Sequence, residues 1–273
     1  MDDETIKLSK RVASQVHSVL IVESWAPSAK FLTERVRDIA KAHIHVVDSN
    51  ALALKAARQI EPQVIFVDQG AKSVDGVAFT RDLRRGEMGC RKCPVIMTTS
   101  TPTASGILAA RDAGVHEILS KPYANRDLLR RLASVILRPR EWIEAVSYVG
   151  PDRRRFNAGN HSGPLLRSTD PVQAPGARIY QALRIVRAAV TALDADPGQA
   201  LRALRVQTAD LMTIAPLAGE PILAAAAERF HEYLNQVTDQ HALDHDEARR
   251  MTQPLIALLP KGDPGRPQLQ MAS

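Results

Sequence analysis

The chain is poor in cysteine and aromatic residues and has no long apolar run. Two cysteines, Cys90 and Cys93, in 273 residues exclude a scaffold held by disulfides. Fourteen glycines and 17 prolines are too few for a fibrous or mostly disordered chain. The longest apolar stretches are short and cut by charges, which excludes a transmembrane helix. The opening Met1-Asp2-Asp3-Glu4 lacks the basic start and apolar stretch of a secretory signal, so the sequence reads as soluble and cytoplasmic. Aromatics make up 4% of the chain, yet 45% is hydrophobic. The core is therefore aliphatic, and large enough for one big domain or two ordinary ones.

Charge is unevenly spread. Residues 16–138 hold 18 basic and 12 acidic residues, a balance of +6. Residues 178–260 hold 8 basic and 10 acidic, a balance of −2. A DNA-binding output domain normally carries the positive footprint itself, so the acidic C-terminal part argues against DNA as a partner.

In the first half, short β-branched runs alternate with helical stretches. Val19–Val22, Val46-Val47, Val64–Val67, Val95–Met97 and Ile118-Leu119 are each too short for a helix and read as buried strands. Between them, helices are predicted from Pro27 to about Ala42, and over Ala51–Ile60, Val77–Arg85, Thr103–Ala113 and Asn125–Leu137. This pattern predicts an α/β fold: a doubly wound, five-stranded parallel sheet covered on both faces.

The texture then changes. Pro139, Pro151, Pro164, Pro171 and Pro175 mark 139–177 as a linker, mostly extended or irregular. From Arg178 the apolar spacing is helical throughout, through Ile179, Leu183, Val186 and Val190, then Leu201, Leu204, Leu211 and Ile214. Ile222–Val237 and about His245–Leu259 follow, which predicts a small all-α bundle. The predicted division is an N-terminal extension (1–15), the α/β domain (16–138), the linker (139–177), the helical domain (178–260) and a disordered tail (261–273).

Ligands of a doubly wound sheet sit outside the carboxyl ends of its strands. Those ends carry Glu23-Ser24, Asp68, Thr98-Thr99-Ser100 and Ser120-Lys121-Pro122. Together these segments resemble the receiver domain of bacterial two-component response regulators. Val64-Ile65-Phe66-Val67-Asp68, followed by Asp75-Gly76, matches the phosphoacceptor strand and its loop. Pro94 to Thr99 matches the switch strand, and Ala113-Gly114 leading to Lys121-Pro122 matches the fifth strand. The resemblance implies that Asp68 accepts phosphate from a histidine kinase or phosphotransfer protein. It implies that Lys121 supplies an ammonium to the phosphoryl oxygens, that Thr99 bonds one of them, and that Glu23, Asp68 and the Gly70 carbonyl face Mg2+.

The sequence departs from the family at strand one. Two adjacent acids are usual there, and Ser24 stands in place of one, which weakens the expected Mg2+ site. Lys72 replaces a frequent proline. Ile118 occupies the place of the usual aromatic switch, and Trp25 sits beside the metal position.

Other features have plainer readings. Cys90-Arg91-Lys92-Cys93 has metal or redox spacing, but no second pair or nearby histidine completes a site, so the thiols read as structural. Arg84-Arg85 and Arg130-Arg131 read as solvated helix faces. Arg153-Arg154-Arg155 follows Tyr148-Val149-Gly150-Pro151 and reads as pinning the linker to acidic side chains, with phosphate or nucleotide binding as the alternative. His231, His241 and His245 lie among acids or aromatics, a setting that opposes a phosphotransfer role.

These observations predict a signalling regulator or receiver-like adaptor, not an enzyme. It would act through protein–protein contact, its C-terminal helices docking to another protein or to a second copy of the chain. The alternatives are a pseudo-receiver scaffold that never takes phosphate and a cyclic-dinucleotide effector using Arg153–Arg155.

Overall fold

The computed structural model describes residues 3–71, 73–153, 175–237 and 243–258. Lys72, Arg154, Arg155, His241, most of the proline-rich stretch and the tail lie outside the described residues. The chain divides into two compact units. The described parts of the first are 3–71, 73–143 and 148–153; those of the second are 144–147, 175–237 and 243–258.

In the first unit, strands β1 (Ser18–Val22), β2 (His43–Val47), β3 (Val64–Ala71), β5 (Val95–Thr99) and β6 (Glu117–Ser120) form a parallel sheet in the order β2-β1-β3-β5-β6. A two-residue strand, β4 (Val74–Asp75), pairs antiparallel with the end of β3. Helices α2 (Ala26–Ile39), α3 (Asn50–Ile60), α4 (Gly76–Arg85) and α5 (Ala104–Ala113) make the crossovers, and α6 (Asn125–Leu137) follows β6.

Side chains alternate across a strand, so each apolar run feeds two cores. Val19, Ile21, Val64, Phe66, Ile96 and Leu119 join Leu32, Val36, Leu128 and Leu132 on one face. Leu20, Val22, Ile65, Val67, Val95, Met97 and Ile118 join Ala53, Phe79 and Leu83 on the other. Ile118, at the position where the family resemblance led one to look for an aromatic switch, is thus core.

Two features of this unit were not foreseen from the sequence. The N-terminal extension contains a helix, α1 (Asp3–Ala13), packed on α6, with Val12 and Val16 fully buried. The segment read as irregular linker begins with a hairpin, β7 (Trp142–Glu144) paired with β8 (Val149–Pro151). Two glycines allow the hairpin to seat. Gly114 ends α5 with φ +93°, and a Cβ there would lie 2.7 Å from the Val149 carbonyl oxygen; a Cβ on Gly150 would lie 2.8 Å from the Gly114 Cα.

The second unit packs α7 (Pro175–Thr191), α8 (Pro197–Leu217), α9 (Pro221–Gln236) and α10 (His245–Ile256) around Leu183, Val186, Leu204, Leu211, Phe230, Leu234 and Leu255. Asp196 caps α8 by accepting from the Gln199 N–H, and Asp244 caps α10 by accepting from Asp246 and Glu247. Arg205 donates to the Leu234 and Val237 carbonyls, placing a cation at the C-terminus of α9. Among the described residues no helix is long and apolar enough to cross a membrane.

Candidate functional site

The strand order reverses at β1, whose neighbours are β2 and β3, and a crevice opens outside the carboxyl ends of the strands at this point. Glu23 follows β1 directly. Asp68 lies on β3 opposite Thr98 of β5, and Thr99 lies opposite Gln69 and Ser120. Lys121 follows β6. Parallel register thus brings residues distant in sequence to one rim.

There Lys121 Nζ donates to Glu23 Oε2 at 2.6 Å and to Asp68 Oδ1 at 2.7 Å. Thr98 Oγ1 donates to the same Asp68 oxygen at 3.2 Å. The Trp25 N–H donates to the other Glu23 oxygen at 3.0 Å. Glu23, Asp68, Thr98 and Thr99 are all buried, while the Lys121 side chain is 19% exposed. Burial disfavours the lysine's charge, but hydrogen bonds to Asp68 and Glu23 outweigh it and hold the ammonium above its ordinary pKa. Tyr123, its ring tilted against Phe31 of α2 at 5.7 Å, has its phenol pushed up to about 12, by burial first and then by the fields of Glu23 and Asp68.

Of the residues singled out from sequence, Glu23, Asp68 and Lys121 are in direct contact. Thr99 lies on the neighbouring strand end, its hydroxyl oxygen accepting from the Thr101 N–H at 3.2 Å. Ser24 is exposed, and a cavity of about 550 Å3 opens beside it, lined by Glu23, Lys30, Thr33, Asp48 and Leu52 among others. Asp68 does not end its strand as expected. β3 runs on through Gly70 to Ala71, because Gln69 pairs with Asp75 and its side chain accepts from the Val77 N–H. Thr98 as a partner of Asp68 was missed, although the parallel register makes these two residues direct neighbours.

Receiver domains hold Mg2+ at such a rim, but the side chains present here fit that ion poorly. Mg2+ wants near-octahedral oxygen ligands, carboxylates among them. Each of the two carboxylates already has one oxygen bonded to the Lys121 ammonium, and the second Glu23 oxygen is bonded to Trp25. Ser24 offers a hydroxyl in place of a third carboxylate. Among the described residues no group of three His, Cys, Asp or Glu is arranged to hold a metal.

The other candidates divide. Cys90 and Cys93 donate to the Ala57 and Pro62 carbonyls; burial raises both thiols, Cys93 to about 12, which makes them inert. Arg84 and Arg131 are not solvated. Arg131 pairs with buried Glu117 at 2.9 Å. Arg84, 1% exposed, donates to the Gly114 and Cys93 carbonyls and lies beneath the Trp142 ring. Spacing on α4 could not separate a buried arginine from a surface one. Arg153 stacks on Tyr148 at 3.6 Å and pairs with Asp112 at 3.1 Å. His231 Nδ1 is 2.8 Å from the buried Thr208 hydroxyl, and His245 pairs with Asp194.

Comparison with known proteins points to the same family as the sequence resemblance. Residues 19–133 match the family model of the response regulator receiver domain. The KDP operon transcriptional regulatory protein KdpE of Escherichia coli is 28% identical over 162 residues, 59% of this chain and 62% of that protein. A Cereibacter sphaeroides protein-glutamate methylesterase/protein-glutamine glutaminase is 31% identical over 131 residues, 47% of this chain and 34% of that protein. The chain therefore spans less than two thirds of the length of either relative. Among solved structures, the Vibrio cholerae chemotaxis protein CheY4 superposes with a TM-score of 0.41 at 20% identity, over 44% of this chain and 98% of that one.

Proposed function

We propose that the chain, whose residues 19–133 match the response regulator receiver domain, is a two-component signalling regulator whose phosphoacceptor is Asp68. The observation that carries the reading is the contact of Asp68 Oδ1 with the Lys121 ammonium at the sheet's switch point. An Asp68 oxygen attacks the phosphorus of a phosphohistidine on a kinase or phosphotransfer protein. The P–N bond breaks, and the imidazole nitrogen keeps the electron pair and takes up a proton. Negative charge then builds on the phosphoryl oxygens, where a preorganised ammonium is most effective. Thr99 donates its hydroxyl hydrogen to one of those oxygens.

Output is through protein contact, by the helical unit docking to a partner protein or to a second copy of the chain. The acidic balance of 178–260 disfavours DNA. We read the chain as a switch without a turnover substrate. Its likeness to the methylesterase spans only 34% of that enzyme.

The test is intact-mass measurement after incubation with acetyl phosphate. Wild type gains one phosphoryl group and Asp68→Ala gains none; no gain in wild type, or an equal gain in both, rejects Asp68. A pseudo-receiver is the second reading, favoured by Ser24 and by Ile118 in the core. A cyclic-dinucleotide role for the arginine run has less support, since Arg153 is already engaged by Tyr148 and Asp112.

A further inference from the structure

The disagreement between the side chains at the rim and a divalent ion has a consequence for how the site is charged. Glu23 and Asp68 are joined by one ammonium that reaches both, at 2.6 Å and 2.7 Å. Both Glu23 oxygens are already engaged, by the Lys121 ammonium and by the Trp25 N–H, so a second cation would have to share them. Asp68 Oδ1 is likewise shared between Lys121 and Thr98. Two carboxylates and one ammonium leave a single net negative charge, where a third carboxylate at position 24 would leave two. An incoming dication therefore meets weaker attraction and the direct repulsion of the Lys121 ammonium.

We propose that Lys121 is itself the resident cation of this site, taking the counter-charge role of a divalent ion, so that the hollow receives a phosphoryl-like anion without Mg2+. The inference rests on the reading of the rim as a phosphoryl site. It makes Lys121 a double-duty residue: its tie to Glu23 fixes it in place, and its tie to Asp68 aims it at the incoming anion. It also accounts for the tolerance of serine at position 24, since a site whose cation is built in has no use for a further metal carboxylate.

The experiment uses the full chain and reads amide and indole NMR shifts of residues 23–25, 67–70 and 120–123, first with Mg2+ alone and then with beryllofluoride in the presence or absence of chelator. Wild type is expected to show no saturable response to millimolar Mg2+. Ser24→Asp, which adds the missing charge, and Lys121→Ala, which removes the competing cation, are each expected to gain at least about tenfold in Mg2+ affinity. Beryllofluoride is expected to shift the same wild-type resonances equally with and without Mg2+. A saturable Mg2+ response in wild type overturns the inference whether or not either variant folds. Beryllofluoride shifts that require Mg2+ overturn it and leave the phosphoryl reading standing. No beryllofluoride shift under either condition overturns both.

Discussion

Strand β6 joins two charged clusters of opposite character. Lys121, just past its C-terminal end, is partly exposed and bonded to two carboxylates at the open rim. At its other end, His116 and Glu117 sit with Arg84, Arg131 and Arg140 in a buried network. Arg84 donates to carbonyls of the loops around it, and Arg140 donates to the His116 carbonyl and to Glu117. Burial lowers Arg84 to about 10, and holds His116 well below the usual histidine range, with Arg84 and Arg140 adding to the effect. The contrast separates two uses of a cation. A guanidinium surrounded by fixed carbonyls and closed off from water holds structure together. An ammonium between carboxylates beside solvent is available for chemistry.

The largest effect that would sharpen this contrast is at Arg84. Arg84→Ala removes donors from several buried carbonyls at once and is expected to cost about 3–5 kcal/mol in urea unfolding. Asp68→Ala, at the other end, is expected to change stability by less than about 1 kcal/mol, because Lys121 keeps Glu23 as its partner. Equal losses at the two ends would break the contrast.

Glu117→Gln comes next, at about 2–3 kcal/mol, since it leaves Arg131 and Arg140 without their buried carboxylate. Acetyl phosphate uptake by the folded fraction should be unchanged, and a loss there would mean that the two ends are one device.

His116 gives a pH dependence. It is neutral when folded, whereas the unfolded chain takes up a proton below a pKa of about 6.5. The unfolded state then binds more protons, so stability falls as pH drops below about 6.5, by about 1.4 kcal/mol per unit. Urea midpoints between pH 7 and 5 check this, and His116→Gln should flatten the slope. Tyr148→Phe loses the hydroxyl bond to the Pro151 carbonyl and should cost about 1 kcal/mol.

The rim was legible in sequence because its residues follow short apolar runs, and because the run Asp68, Asp75-Gly76, Thr98-Thr99 and Lys121-Pro122 has a family spacing. The helices of both units were legible for a similar reason: the predicted Asn125–Leu137 is α6, and the predicted Ala51–Ile60 differs from α3 by one residue. The buried network was not. Arg84 and Arg131 each precede or follow another arginine on a helix, and only the tertiary fold decides which member of a pair turns inward. The hairpin after residue 139 was hidden in the same way. Its prolines suggest a linker, and its docking depends on Gly114, some 35 residues earlier in the chain, yielding room to Gly150.

On the proposed reading the rim, and not the buried network, receives the phosphoryl group. Residue-resolved NMR of the full chain with beryllofluoride tests it most directly. The expected shifts are confined first to 23–25, 67–70, 98–101 and 120–123, and all are abolished by Asp68→Ala. Shifts that persist in Asp68→Ala, or that centre on Arg84, His116 and Arg140 instead, would contradict it.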